Sequence, residues 1–424
     1  MKLLWFHLMP YTDLPETFQD DHRSVWVDID PSLYNPAKGH RMYHEFLDEL
    51  EFAAHAGFDG ICVNEHHSNA YGMMPSPNIM ASTLARNTRD LDTSIVVMGN
   101  SLALYNPPVR VAEEFAMLDV LSGGRLIAGF PVGTPMDTVY AYGMNPGSLR
   151  ERYHEAHDLI MQAWASEGPF IFNGKFTKIR YANPWPRPVQ KPHPPIWIPG
   201  GGSVDTWAWC AEMDYVYAYL SYFGYKFGET TIRGFWEKMK SLGKEPNPFQ
   251  CGFLQFVGVA DTDEEAMDIY AEPANYFYNR CLHVYSGFSD PPGYKTENTV
   301  RSGVLSQVEA AAQGAELAEK AGVSMRSLMP SFEQMVEMGY VIVGSPTTVA
   351  EKLNHVATTL NIGQLMLLLQ FGNMSPELTK YNTKLFAEKV YPELTGIFAD
   401  KWEDRWSPSP LSTEQRVGMP AAGK

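Results

Sequence analysis

Cysteine is scarce. Cys62, Cys210, Cys251 and Cys281 are the four in 424 residues, and no two share a short spacing. This excludes a disulfide framework and a cysteine-based zinc site, and it fits a reducing compartment. Positive charge is also short: 33 Lys and Arg face 49 Asp and Glu, a formal net charge of −16. A surface of that sign repels phosphate backbones and anionic lipid, so neither nucleic acid nor a membrane is the expected partner. No run approaches the ~18 apolar residues that a spanning helix needs. The opening Met1-Lys-Leu-Leu-Trp-Phe-His-Leu-Met-Pro10 fails as a secretory signal, because the run is short, His7 interrupts it and Asp13 follows closely. It reads as a buried strand, and a cytoplasmic protein is expected. Metal motifs are missing as well. There is no HExxH, His154-Glu-Ala-His157 has the wrong spacing, and Glu151-x-x-His154 lacks the second copy a di-iron site would need, so no metal is expected.

What is present is an ordinary globular balance, 45% hydrophobic and 19% charged, in a chain long enough to bury a full core. Short apolar runs alternate with amphipathic segments from end to end. The strand-like runs are Leu3–Leu8, Gly60–Val63, Ser94–Met98, Leu126–Phe130, Pro195–Ile198, Tyr215–Tyr219, Phe253–Val259 and Gln364–Leu369. Helical periodicity marks Tyr43–Ala53, Val109–Leu121, Arg152–Trp164 and Thr379–Tyr391. Eight β/α units predict a (β/α)8 TIM barrel, with an open doubly wound sheet as the rival that periodicity does not separate. Three stretches break the alternation. Pro10–His40 reads as a long first loop. Glu167–Pro195 holds a hairpin-like aromatic piece and a proline-rich run. A long insertion after strand 7, about residues 265–341, carries the loop Ser286–Thr296 and a helix around Glu309–Ala321. The expected organisation is one barrel domain over residues 1–397 and a polar C-terminal tail over 398–424.

Asn64-Glu65-His66-His67 ends the second strand, where a β/α barrel builds its active site. Strand alternation would send Glu65 and His66 to opposite sides. Histidine suits proton transfer near neutral pH, although a turn-capping structural histidine reads equally well here. Pro199-Gly200-Gly201-Gly202-Ser203 follows the fifth strand and opens a helix. Glycines allow backbone N–H groups to approach an anion, and the helix start adds partial positive charge; a plain glycine-rich turn is the alternative. Gly99-Asn100-Ser101 ends the third strand, and an asparagine amide there could meet the edge of a heterocycle or simply make a turn. Ser122-Gly-Gly-Arg125 reads as a helix stop.

The order and spacing of several motifs resemble the bacterial luciferase-like flavin-dependent monooxygenases. They are Asn64-Glu-His-His67, Pro75-Ser-Pro-Asn78, Pro108-Val-Arg-Val-Ala-Glu-Glu114, Met117-Leu-Asp-Val-Leu-Ser-Gly-Gly-Arg125, Trp185-Pro-Arg-Pro188, Pro194-Pro-Ile-Trp197 and Val343-Gly-Ser-Pro-Thr-Thr-Val-Ala-Glu-Lys-Leu353. The resemblance covers about Lys2 to Ile397. It implies a (β/α)8 barrel using FMN in its reduced form, FMNH2, and O2 to oxygenate a small, apolar organic substrate. A separate NAD(P)H:flavin reductase would supply the flavin, and a homodimer would form through the second and third barrel helices, rich in Ala81, Ala85, Ala112 and Ala116. His66 matches the family's catalytic histidine and His67 its neighbour. Gly99 and Asn100 match a site near the flavin where relatives hold a non-proline cis peptide. Gly200, Gly201, Gly202 and Ser203 match the phosphate turn, and Tyr153 a phosphate-reaching tyrosine. Val132 and Leu149 stand where relatives carry an arginine or a histidine on the phosphate, so backbone N–H groups, Tyr153, Arg150 or Arg152 would have to meet that charge. The loop Ser286–Thr296 falls where relatives have a mobile lid. The alternatives are a deazaflavin-dependent oxidoreductase doing hydride transfer, and a flavin-binding barrel without turnover.

Overall fold

The computed structural model describes residues 1–220, 222–302 and 330–418. Eleven strands occur among them: β1 (Lys2–Phe6), β2 (Gly60–Val63), β3 (Ser94–Val97), β4 (Leu126–Gly129), β5 (Phe170–Asn173), β6 (Lys178–Ala182), β7 (Ile196–Gly200), β8 (Val216–Tyr219), β9 (Cys251–Val259), β10 (Val341–Gly344) and β11 (Gln364–Leu368). Eight of them close a parallel barrel in the order β1-β2-β3-β4-β7-β8-β9-β11, with β11 returning to β1. The open-sheet rival is therefore excluded by the β8–β9 and β11–β1 pairings. All eight predicted runs are barrel strands. β1 shows why they read as unbroken apolar runs: Leu3, Leu4, Trp5 and Phe6 are all buried, since one face meets the barrel interior and the other the surrounding helices.

Helices alternate with the strands and start where local chemistry dictates. Pro36–His55 begins with Asn35, whose side chain accepts from the backbone N–H groups of Ala37 and Lys38, and with proline in its first turn. Val109–Ser122 and Pro146–Ala165 bracket β4. The hairpin-like piece is a real antiparallel pair, β5 with β6, standing outside the barrel.

Two expectations change. β10 was not foreseen: it pairs with the end of β9, Phe256–Val259, beyond the residues through which β9 joins β8. The alanines expected to face a second copy, Ala81, Ala85, Ala112 and Ala116, are fully buried within the chain. The helices Pro77–Asn87 and Val109–Ser122 pack on each other, and small side chains let them approach closely. Their outward apolar residues are instead Ile79, Met117, Val120 and Leu121. The helix expected around Glu309–Ala321 lies outside the described residues. The chain after Phe398 lies on the barrel: Trp406 is buried with its indole N–H on the Asp214 carbonyl, and Leu411 N–H donates to the Gly123 carbonyl.

Candidate functional site

The carboxyl ends of the strands open into one long cleft. At one end stand Trp26, Asn64, Glu65, His66, Tyr71 and Asp137; at the other, Arg150, Gly200, Gly201, Gly202, Ser203 and Lys295. Met98, Val132, Leu220, Tyr222, Leu282 and Val284 give the cleft its apolar walls.

His66 follows β2, and its imidazole lines the cleft. Its Nδ1 lies 3.0 Å from Asp137 Oδ2. Asp137 is buried, and it accepts three further hydrogen bonds, from Trp26 Nε1 (3.1 Å), His67 N–H (2.7 Å) and Thr134 Oγ1 (2.9 Å). A carboxylate whose remaining neighbours all donate makes Nδ1 a donor too, and Nε2 is left as the working nitrogen. The ring is held edge-on by Trp26 and Tyr71, each with its centroid 5.0 Å away. Asp137 is the cleft residue beside His66 that no sequence motif pointed to. It lies seventy-one positions from His66, in a wide helical turn, Met136–Ala141, that carries no motif.

The chain beyond Val63 is no longer a strand, so the alternation expected for residues 64–67 does not hold. Glu65 and His66 both line the cleft. The Glu65 carboxylate accepts from Ser101 N–H (2.6 Å) and Tyr105 Oη (2.7 Å). His67 is a correction: it turns out of the cleft, with Nε2 3.3 Å from Glu65 Oε1 and Nδ1 3.3 Å from Tyr142 Oη. Gly99 and Asn100 are a second correction. Met98 and Ser101 line the cleft, while Asn100 exchanges two amide hydrogen bonds with Asn78 (2.9 and 3.0 Å). Among the described residues the cis peptide bonds all precede proline, so the Gly99–Asn100 bond is trans. Gly99 is required for another reason. A Cβ there would stand 2.6 Å from the Glu65 backbone nitrogen, so glycine lets the chain leaving β3 pass close behind Glu65.

At the far end, Gly200–Ser203 joins β7 to the helix Val204–Met213. Ser203 makes no side-chain cap; Thr206 N–H donates to the Ser203 carbonyl (3.1 Å), and the N–H groups nearer the helix start keep their capacity for an anion. Arg150 Nη2 donates to Ser203 Oγ at 3.1 Å, and Arg150 Nε is buried without a partner. A Cβ built on Gly200 would meet open space. These residues fit a phosphate group. Tyr153 does not join them and is the third correction. One helical turn beyond Arg150 its side chain points inward, its hydroxyl donates to the Phe130 carbonyl at 2.7 Å, and burial pushes its pKa up. Arg152 points outward and stacks on Phe176. The loop Ser286–Thr296, placed where relatives have a mobile lid, is anchored here: Phe288 packs on Tyr140 and Tyr285, and Tyr294 donates its hydroxyl to the Gly133 carbonyl. Ser289, Tyr294 and Lys295 from this loop wall the cleft. Among the described residues no cluster could hold a metal ion, and no helix is long and apolar enough to cross a membrane.

Residues 25–360 match the family model of luciferase-like monooxygenases. The oxygenase component of a flavin-dependent trigonelline monooxygenase from Acinetobacter baylyi is 28% identical over 165 residues, which cover 37% of this chain and 43% of that protein. The chain spans less than half the length of the first curated relatives it matches. Among solved structures, the oxygenating constituent of 3,6-diketocamphane monooxygenase from Pseudomonas putida, in complex with FMN, superposes with a TM-score of 0.66 at 18% identity, over 92% of this chain and 98% of the other. An F420-dependent secondary alcohol dehydrogenase does so with a TM-score of 0.59 at 17% identity, over 93% and 98%. These two likenesses show the fold. The family model covers most of the chain, and the eight-stranded barrel with its strand-end cleft accords with it: the chain belongs to the luciferase-like monooxygenase family.

Proposed function

We propose that this chain is the oxygenase of a two-component system, binding reduced FMN from a separate reductase and using O2 to oxygenate a small organic molecule. The observation that carries this reading is a single cleft with an anion cradle at one end and a carboxylate-oriented histidine at the other. Arg150 and the Gly200–Ser203 turn hold the flavin phosphate, Arg150 supplying the charge that Val132 and Leu149 do not. Bound reduced flavin supplies the electrons that activate dioxygen. The chain's own part is to fix the ring between apolar walls, to keep water out with Leu282, Val284 and Tyr294, and to hold or move a proton at His66 Nε2. His67 and Tyr153 support these residues from behind.

The second reading, a deazaflavin cofactor and hydride transfer, is favoured by the F420-dependent fold neighbour. One anaerobic titration separates the two. Reduced FMN should bind at micromolar concentration while a deazaflavin does not, and oxygen uptake with a flavin reductase should follow. Arg150→Ala should weaken reduced FMN by on the order of tenfold to a hundredfold, the usual worth of a charge-assisted contact. Preference for the deazaflavin overturns the FMN reading; unchanged affinity in the variant moves the phosphate elsewhere.

We place a homodimer contact on the outward face of Pro77–Asn87 and Val109–Ser122, where Ile79 and Met117 are 62% and 53% exposed. Light scattering at micromolar concentration should give twice the chain mass, and Met117→Glu should halve it. A monomeric parent removes this contact.

A further inference from the structure

A second cavity lies on the other side of His66 from the residues that face the cleft, under the first long loop. His66 belongs to the walls of both. Three tyrosines, Tyr11, Tyr34 and Tyr43, surround it. Two of their hydroxyls are already occupied: Tyr11 Oη accepts from Asn35 N–H at 3.1 Å, and Tyr43 Oη donates to the Met73 carbonyl at 2.7 Å. The Tyr43 proton is thereby committed to the backbone, and all three tyrosines form part of the cavity wall. Tyr11 and Tyr34 are tilted 44° to each other with centroids 5.7 Å apart, forming a corner. Tyr34 is pinned there because it lies over Gly39: a Cβ on Gly39 would stand 2.6 Å from the Tyr34 ring carbon that bears the hydroxyl. At the exposed rim stands Asp30. One of its carboxylate oxygens accepts from Ser32 N–H at 2.8 Å, and that bond holds its pKa below the usual carboxylate value. No lysine or arginine lies among the described residues that line the cavity. Asn69 contributes a buried amide nitrogen without a partner.

Aromatic faces, a carboxylate and the absence of competing cations form the chemistry that recognises a quaternary ammonium group. Such a cation is too large and too poorly hydrated to need hydrogen bonds, and it is attracted to the negative faces of aromatic rings. We propose that this second cavity is a binding site for a small quaternary or N-methylated ammonium compound, held by the rings of Tyr11, Tyr34 and Tyr43 and by the Asp30 carboxylate. The net charge of −16 favours the approach of such a ligand at low salt. The site stands independently of the flavin reading, because it uses none of the residues at the phosphate end of the cleft.

The test is calorimetric titration of the full chain with choline and with 3,3-dimethylbutan-1-ol, its uncharged isostere of the same shape. Choline should bind at least about tenfold more tightly than the alcohol, as the cation–π contribution requires. Asp30→Asn is the clean variant. Asparagine caps as well as aspartate, so the Ser32 contact survives and only the charge is removed. It should weaken choline by roughly threefold to tenfold and leave the alcohol unchanged, and added salt should reproduce part of the loss. Tyr34→Phe should retain choline and Tyr34→Leu should lose most of it. Equal affinity for choline and the alcohol would make the cavity merely apolar and overturn the proposal. So would the absence of choline binding, or choline binding that both Asp30→Asn and Tyr34→Leu leave untouched.

Discussion

His66→Ala is expected to fold, to bind reduced FMN like the parent, and to turn substrate over more slowly by on the order of 10²–10⁴, the range for losing one positioned acid–base group. Oxygen consumption should continue, with more of it ending as hydrogen peroxide. The imidazole packs edge-on against Trp26 and Tyr71 and makes one side-chain hydrogen bond, to Asp137. Truncating it removes a reactive nitrogen without touching the anion cradle at Arg150 and Gly200–Ser203. Asp137→Asn sharpens the test. Each oxygen of Asp137 faces two donors: Oδ1 those of Trp26 and His67, Oδ2 those of His66 and Thr134. An amide nitrogen on either side meets donors, and on the His66 side it turns Nδ1 into an acceptor and moves the ring proton to Nε2. Activity should fall with the fold intact, and its pH profile should shift, as a changed tautomer requires. Steady-state turnover and peroxide yield decide the matter. Unchanged rate and coupling in His66→Ala would reduce His66 to a wall of the cleft.

The largest expected effect on stability belongs to Arg125. Its side chain is fully buried, and burial lowers its pKa to about 10, so it stays charged at neutral pH. The guanidinium is held by neutral acceptors: Nε donates to the Ser122 carbonyl (2.8 Å), Nη1 to Thr88 Oγ1 (3.0 Å) and the Thr93 carbonyl (2.9 Å), and Nη2 to the Ala85 carbonyl (2.9 Å). It thereby ties the end of Pro77–Asn87, the start of β3 and the end of Val109–Ser122 together. Arg125→Met fills much of the volume but strands these acceptors in the core. Each buried polar group left without a partner costs about 1–3 kcal/mol, and partial relaxation leaves a total of about 3–5 kcal/mol. The apparent melting temperature should drop by about 3–6 °C, the shift that this loss implies for a chain of such length. Arg125→Lys should fall between, since a single ammonium cannot span the same fork. A methionine variant melting within about 2 °C of the parent would show that water or rearrangement satisfies the acceptors.

The eight β/α units were legible because their signal is local and repeated, whereas periodicity did not show their closure into a barrel. Each strand is buried on both faces and leaves an apolar run bounded by turn residues, and eight such runs survive small errors at their ends. β10 escaped because Val341–Gly344 lies outside the eightfold alternation and pairs only with the far end of a strand already assigned. At the site, the glycine turn and His66 were visible because backbone freedom and proton chemistry are tied to residue type. Ser122–Arg125 read as a helix stop, and nothing local told that its arginine is buried among carbonyls from three elements.

Residue types, apolar periodicity and motif order were enough for the parallel β/α barrel and the family. The direction of each side chain was not contained in them. Arg150, Arg152 and Tyr153 share one helix, yet Arg150 reaches Ser203, Arg152 stacks on Phe176 and Tyr153 meets the Phe130 carbonyl. At 3.6 residues per turn, neighbouring positions point about 100° apart, and which of those directions faces the cleft depends on how the helix sits on the barrel. The same holds for His66 and His67, whose choice between the cleft and Glu65 is made where the chain leaves β2, and for Asp137, which reaches His66 because β3 alone separates β2 from β4 and the chain after β4 turns back across the strand ends.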